Sequence, residues 1–242
     1  MHQALYFLEP KVTAKIRIVK ILVNRECTPA PYQQNKLNGF PSYFLFWSLA
    51  FLYSCFVAIL LQKFVLPLLP SLHAYQGLMN NDAIVFHEIA LKQAILIHDV
   101  GWSAWHLFPS GMPANVGLLS VVYAVLGSDP VWFVPFNAAA HATGAMMIYH
   151  IGPVLLPGKR GQLGGLIGGV AFLVFPSALQ WYGQNHKDAF ECAGMLMFVY
   201  VWLKMMSGQD FTRKIIFKYL CIAFSGALLF AFIICLLLLY LF

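Results

Sequence analysis

Charge is what this sequence has least of. Nine acidic and fifteen basic residues in 242 leave the chain 10% charged and 60% hydrophobic, where a soluble domain is about a quarter charged and about half apolar. With a mean hydropathy of +0.73, that scarcity excludes an ordinary soluble globule and points to an integral membrane protein. Metal-binding spacings are missing as well. The five cysteines, Cys27, Cys55, Cys192, Cys221 and Cys235, are odd in number and form no CxxC, and the eight histidines form no HxxxH box. A disulfide framework and a structural zinc site are therefore not expected. Cys55, Cys221 and Cys235 sit inside apolar runs and read as small hydrophobes. The first twenty residues, MHQALYFLEPKVTAKIRIVK, have no apolar core ending in a small-residue cleavage site, so they do not read as a cleaved signal peptide. The net charge of +6 fits cytoplasmic loops facing anionic lipid rather than a nucleic-acid partner.

What is present is a series of apolar runs. They predict an all-α, polytopic membrane protein with about five transmembrane helices, over residues 43–69, 131–155, 163–182, 189–206 and 219–242, since about 20 apolar residues are needed to span. Residues 1–42 read as a cytoplasmic N-terminal segment, in which KIRIVKILV has the alternation of a short amphipathic surface helix. Residues 43–242 read as the transmembrane domain, with a long outer loop over 70–130 that holds membrane-surface helices. Lys63 falls inside the first span and must snorkel or face other helices. In the loop, Asn81 and Asp82 read as a helix cap and 83–97 as the helix. Its Ile84, Ile89, Ala90, Gln93 and Ile97 make no clean stripe, so it is expected to lie on the membrane surface. Trp102 and Trp105 read as interfacial anchors, and residues 114–127 as a re-entrant or surface helix too short to span. Gly161, Gly165 and Gly169 recur at every fourth position and predict close approach of another helix. The last run reaches Phe242 without a polar tail, which reads as a truncated product, a fragment or half of a split protein.

Basic residues set the expected orientation. Segments 1–42, 156–162 and 204–218 hold six, two and four of them, twelve of fifteen, against only Lys92 and Lys187 in 70–130 plus 183–188. The positive-inside rule then puts the N-terminus in the cytoplasm and both polar breaks, around Asp82 and around Asp188, on the non-cytoplasmic side. Ionisable groups at a membrane boundary are costly unless solvated or paired, so these breaks are the candidate functional region. The first holds Asp82, His87 and Glu88; the second holds Asn185, His186, Lys187 and Asp188. His98, Asp99 and His106 read as loop or surface groups, and His141 and His150 as helix-packing or interhelical hydrogen-bonding groups.

The succession of one span, an outer loop opening on NDAIVFHEIA, the segment GWSAWHLFPSG, a span opening in GSDPVWFVPFNAAAHATG, a basic turn, and a span ending in FPSALQWYGQNHKDAF resembles the amino-terminal half of the polyprenyl-phosphate-dependent glycosyltransferases of GT-C fold. Protein O-mannosyltransferases, the aminoarabinose transferase of lipid A and the oligosaccharyltransferase catalytic subunit belong to that family. The resemblance covers residues 43–206 and implies a sugar transferred from a polyprenyl-phosphate donor to a glycan, lipid or protein acceptor. It implies that Asp82, and by position Asp188, are the acidic residues of the site. Lys187 with His186 would face the donor phosphate, and His87 and Glu88 would support Asp82. The chain departs from the family in two ways: Asn81 and Ala83 flank Asp82 where a second carboxylate is usual, and five expected spans fall short of eight or more. The resemblance leaves open whether a divalent metal takes part, whether the membrane is a bacterial inner membrane or the endoplasmic reticulum, and whether another chain supplies further helices. Two other readings stay open: a non-catalytic truncated homologue acting as a scaffold, and a membrane transport subunit.

Overall fold

The computed structural model describes residues 41–79, 82–207, 215–222 and 224. Most of the expected N-terminal segment and most of the fifth expected span therefore lie outside the described residues. Within them the chain is mostly helical, with one small hairpin.

Helix α1, Tyr43–Leu60, starts at Ser42, whose hydroxyl accepts from the Leu45 N–H at 3.2 Å, the usual way to satisfy an orphan donor at a helix start. It runs on through a π-helical turn, Leu61–Val65, and a short 3-10 turn, Leu66–Leu68, and Pro67 and Pro70 stop it. Within the continuous element Tyr43–Leu68, an 18-residue window has a mean hydropathy of 2.3, and only 22% of that window is buried. Phe44, Leu49, Leu52 and Phe56 accordingly point outward, as a lipid-facing side would. The antiparallel hairpin of β1, His73–Tyr75, and β2, Leu78–Met79, then turns the chain back. Its turn needs glycine: Gly77 has φ +81, and a Cβ there would run into the Gln62 backbone.

Helix α2, Asp82–Val100, packs on α3, Ala114–Leu126, around Phe86, Ala90, Ala94, Val116, Leu119, Val122, Tyr123 and Phe133. The expectation of no stripe on α2 is corrected here. Ala83, Phe86, His87, Ala90, Gln93, Ala94 and Ile97 are all buried, a regular three- and four-residue spacing. Alanine, histidine and glutamine make up most of the stripe, so it carries little hydropathy signal. The loop that follows folds back onto these helices rather than reaching outward: Gln93 Nε2 donates to the His106 carbonyl at 2.8 Å and Trp105 Nε1 to the Gly117 carbonyl at 2.9 Å. Trp102 stays exposed, whereas Trp105 is pinned to α3.

Helix α4, Val134–Leu155, is the hub of the bundle and packs against α1, against α5, Lys159–Val174, and against α7, Asp188–Met206. The glycine expectation is borne out along α4–α5. Gly161, Gly165 and Gly169 are buried. A Cβ at Gly165 would lie 2.5 Å from the Tyr149 carbonyl oxygen, and one at Gly169 would lie 2.9 Å from that of Ala145. A short helix α6, Pro176–Tyr182, continues α5 after a 54° bend. Proline explains the bend: it lacks the N–H to continue the ladder and pushes the preceding residue out of helical geometry, and Phe175 is extended with ψ 125.

Among the described residues, two helices are long and apolar enough to cross a membrane, Tyr43–Leu68 and Asp188–Met206, or up to four if each bent pair counts as one span. The expected second and third spans are not single straight helices and qualify only as bent pairs. The run over 131–155 qualifies only together with α3, across a 119° bend, and the run over 163–182 is broken at Pro176. Composition and helices together point to a membrane protein.

Candidate functional site

In the sequence the GQNHKD segment between α6 and α7 reads as a polar break, yet the fold encloses it. Gln184, Asn185 and His186 are 2%, 1% and 8% exposed. Three carboxamides from three elements hold its backbone. Gln62, on the π-helical turn after α1, donates Nε2 to the Gly183 carbonyl at 2.8 Å. Asn137 of α4 donates Nδ2 to the Gln184 carbonyl at 2.5 Å, and Asn115 of α3 donates Nδ2 to the Asn185 carbonyl at 3.4 Å. Buried backbone carbonyls need partners, and here successive carbonyls find them on residues 121, 47 and 70 positions away. The Gln184 side chain then ties the turn to the hairpin, accepting from the Met79 N–H at 2.8 Å and donating to the Gly77 carbonyl at 3.2 Å.

Next to this turn, His87 Nδ1 and the Tyr123 hydroxyl share a hydrogen bond of 2.7 Å, and Asn185 Nδ2 donates to the same hydroxyl at 3.3 Å. Burial pushes the His87 pKa below its ordinary value, against opposing pulls from Glu88 and Asp129. A ring kept neutral in this way can accept the phenol proton.

The His186 ring meets the Phe86 ring edge-on, with 6.4 Å between centroids. Lys187 Nζ pairs with Glu191 Oε1 at 3.1 Å, one helical turn on. Burial lowers the His186 pKa, while the negative charges of Asp188 and Asp82 pull it back up. Both carboxylates therefore act on the charge of one imidazole, and Tyr123, bonded to His87 and to Asn185, with the Phe86–His186 ring contact, links the two polar segments.

The expected site residues thus divide. The charges of Asp82 and Asp188 both act on His186. Asp82 is exposed and is the first residue of α2 rather than the residue before it, so it acts in the first turn, where a carboxylate favours the helix dipole; Asn81 lies outside the described residues. Glu88 is exposed on α2, whereas His87 is buried and turned to Tyr123. His98, Asp99 and His106 are exposed and join nothing here. His141 meets Ser54 of α1 at 3.0 Å and His150 stacks on Tyr43 at 3.7 Å, the interhelical roles expected of them. Among the described residues no three His, Cys, Asp or Glu side chains are grouped closely enough to hold a metal ion.

Sequence reasoning missed Gln62, Asn115, Tyr123 and Glu191, gave Asn137 no role, and left Lys63 and Asp129 unpaired. Lys63 Nζ meets Asp129 Oδ2 at 2.6 Å, and Asp129 also accepts from the Val131 N–H at 3.0 Å. Burial pushes the Asp129 carboxyl up, but the Lys63 and Val131 hydrogen bonds more than offset it, and the group is held below its ordinary value. The signal for Gln62 and Asn137 was their polarity inside apolar runs, which is costly unless paired. No known protein family, curated protein or solved structure matches the chain.

Proposed function

We propose that this chain is a membrane glycosyltransferase that moves a sugar from a polyprenyl-phosphate donor to an acceptor on the non-cytoplasmic side. The observation that supports the reading is that the two polar segments adjoin, through the Phe86–His186 ring contact and the Tyr123 hydroxyl bonded to both His87 and Asn185, with Asp82 at the start of one and Asp188 at the end of the other. In the proposed reaction an acceptor hydroxyl attacks the anomeric carbon, its oxygen forms the new glycosidic bond, and the bond from that carbon to the phosphate oxygen breaks. Asp82, exposed to solvent, takes the acceptor proton as general base. The departing phosphate gains charge that Lys187 would stabilise, in competition with Glu191. A second reading, a scaffold without transfer activity, is favoured by the burial of His186 and by the Lys187–Glu191 pair, both of which suit a structural turn.

Asp82→Asn tests the first reading. It keeps the size of the side chain, removes the proton acceptor, and gives up a helix-dipole interaction of about 0.3–1 kcal/mol. Radiolabelled sugar transfer in membranes should fall by about a hundredfold or more, with thermal stability nearly unchanged. Full activity in the variant removes Asp82 from the mechanism; no transfer by the folded wild-type chain favours the scaffold. The orientation is checked by single cysteines in a cysteine-free background at the exposed positions Ser103 and Lys159. An impermeant thiol reagent added outside should label Ser103→Cys and not Lys159→Cys, and the reverse pattern would invert the topology.

A further inference from the structure

Gln62 Oε1, Asn115 Oδ1, Asn137 Oδ1 and Asn185 Oδ1 are buried and accept no hydrogen bond. Their residues are 1%, 2%, 1% and 1% exposed. The nitrogens of the same four amides are committed, three to successive carbonyls of the turn and one to Tyr123. Each oxygen is therefore one amide group away from a fixed contact at this turn. An unbonded buried carbonyl costs about 1–3 kcal/mol, and native proteins carry only a few unsatisfied groups per hundred residues. Here four gather around one short turn, and all four are acceptors. His186 Nε2, also unbonded, accepts or donates according to its tautomer.

Acceptors in excess, with one proton of each amide nitrogen already placed, suit a species that supplies positive charge and needs no donor in return. A water donates to at most two of the four oxygens and brings two lone pairs of its own. An alkali cation has none, and neutral carbonyl oxygens can replace its hydration shell. The turn is non-helical backbone between two helices, the kind of break at which membrane proteins hold monovalent ions. We propose that the Gly183–His186 turn, with Gln62, Asn115 and Asn137, forms a binding site for an alkali-metal cation. This inference does not depend on the transferase reading.

The test uses the full chain in detergent, unfolded thermally in sodium, potassium or lithium chloride against N-methyl-D-glucamine chloride at equal ionic strength. At least one alkali cation should raise the Tm with saturating concentration dependence. Asn115→Asp places a carboxylate where a neutral oxygen stood, and it should lower the half-saturating concentration at least tenfold. Direct binding of radioactive sodium or rubidium to the unmodified chain should saturate, which keeps that arm independent of how well the variant folds, and binding to folded Asn115→Asp should show the same shift. Equal stability in all four salts with no saturable binding overturns the proposal and leaves water at the turn. Saturable binding that Asn115→Asp leaves unchanged places the ion elsewhere and overturns it too.

Discussion

The α4–α5 seam and the Gly183–His186 turn both bring backbone against its neighbours inside an apolar bundle, by opposite means. Along the seam the side chain is absent: glycine lets α5 approach the Tyr149 and Ala145 carbonyls with nothing between. At the turn the side chain is the contact, because Gln62, Asn137 and Asn115 reach in to bond the carbonyls. Between apolar helices in lipid there is little hydrophobic drive, so close packing and hydrogen bonds must supply the association. The seam uses the first and the turn uses the second. The turn also carries His186, the ring on which the charges of Asp82 and Asp188 act.

Separating these two modes should be easiest at Gly165. Gly165→Val places a branched side chain against the Tyr149 backbone and should destabilise by about 1–3 kcal/mol or more, read as a lower Tm in detergent. Gly164→Ala on the same helix, where a Cβ meets nothing within 4 Å, should be neutral or gain up to about 1 kcal/mol from helix propensity. Equal loss at both positions would mean that close approach is not what the glycines provide.

At the turn, Asn137→Leu keeps the volume and leaves the Gln184 carbonyl without its donor, at a cost of about 1–3 kcal/mol. Hydrogen exchange should quicken over 183–186 and not along α5. Faster exchange spread evenly over both would show that the two regions are one cooperative unit.

The smallest effect is expected at Lys63. The side chains of its pair with Asp129 are 37% and 40% exposed, and such pairs contribute roughly 0–1 kcal/mol. Asp129 titrates below its ordinary value of 3.8 in the fold. Its contribution is therefore present above that ordinary value and is lost as pH falls through the lower folded value. Lys63→Met should cost little at neutral pH and flatten the acid limb of the stability curve. An unchanged acid limb would show that the pair does not couple to folding.

The glycine seam was legible because its signal is local: three residues on one helix at a fixed spacing. The buried face of α2 was not, although it is equally regular, because alanine, histidine and glutamine give no contrast in hydropathy. Pro176 marked a break that the apolar run over 163–182 concealed, since composition averages over a residue that geometry does not. Of the candidate site, Asp82, His186 and Asp188 could be found from polarity between apolar runs. The pairing of His87 with Tyr123 and of Lys63 with Asp129 could not, because those partners lie 36 and 66 residues apart.

Sequence alone determined the membrane class, the helical content, the glycine contact and the two polar breaks, because hydropathy, periodicity and helix-stopping residues act within a turn or two of the chain. Tertiary structure alone decided that the second break is enclosed rather than exposed, and that three distant carboxamides hold its carbonyls. A carboxamide bonds equally well to any carbonyl presented to it, so only the packing of α1, α3 and α4 around the turn selects which one.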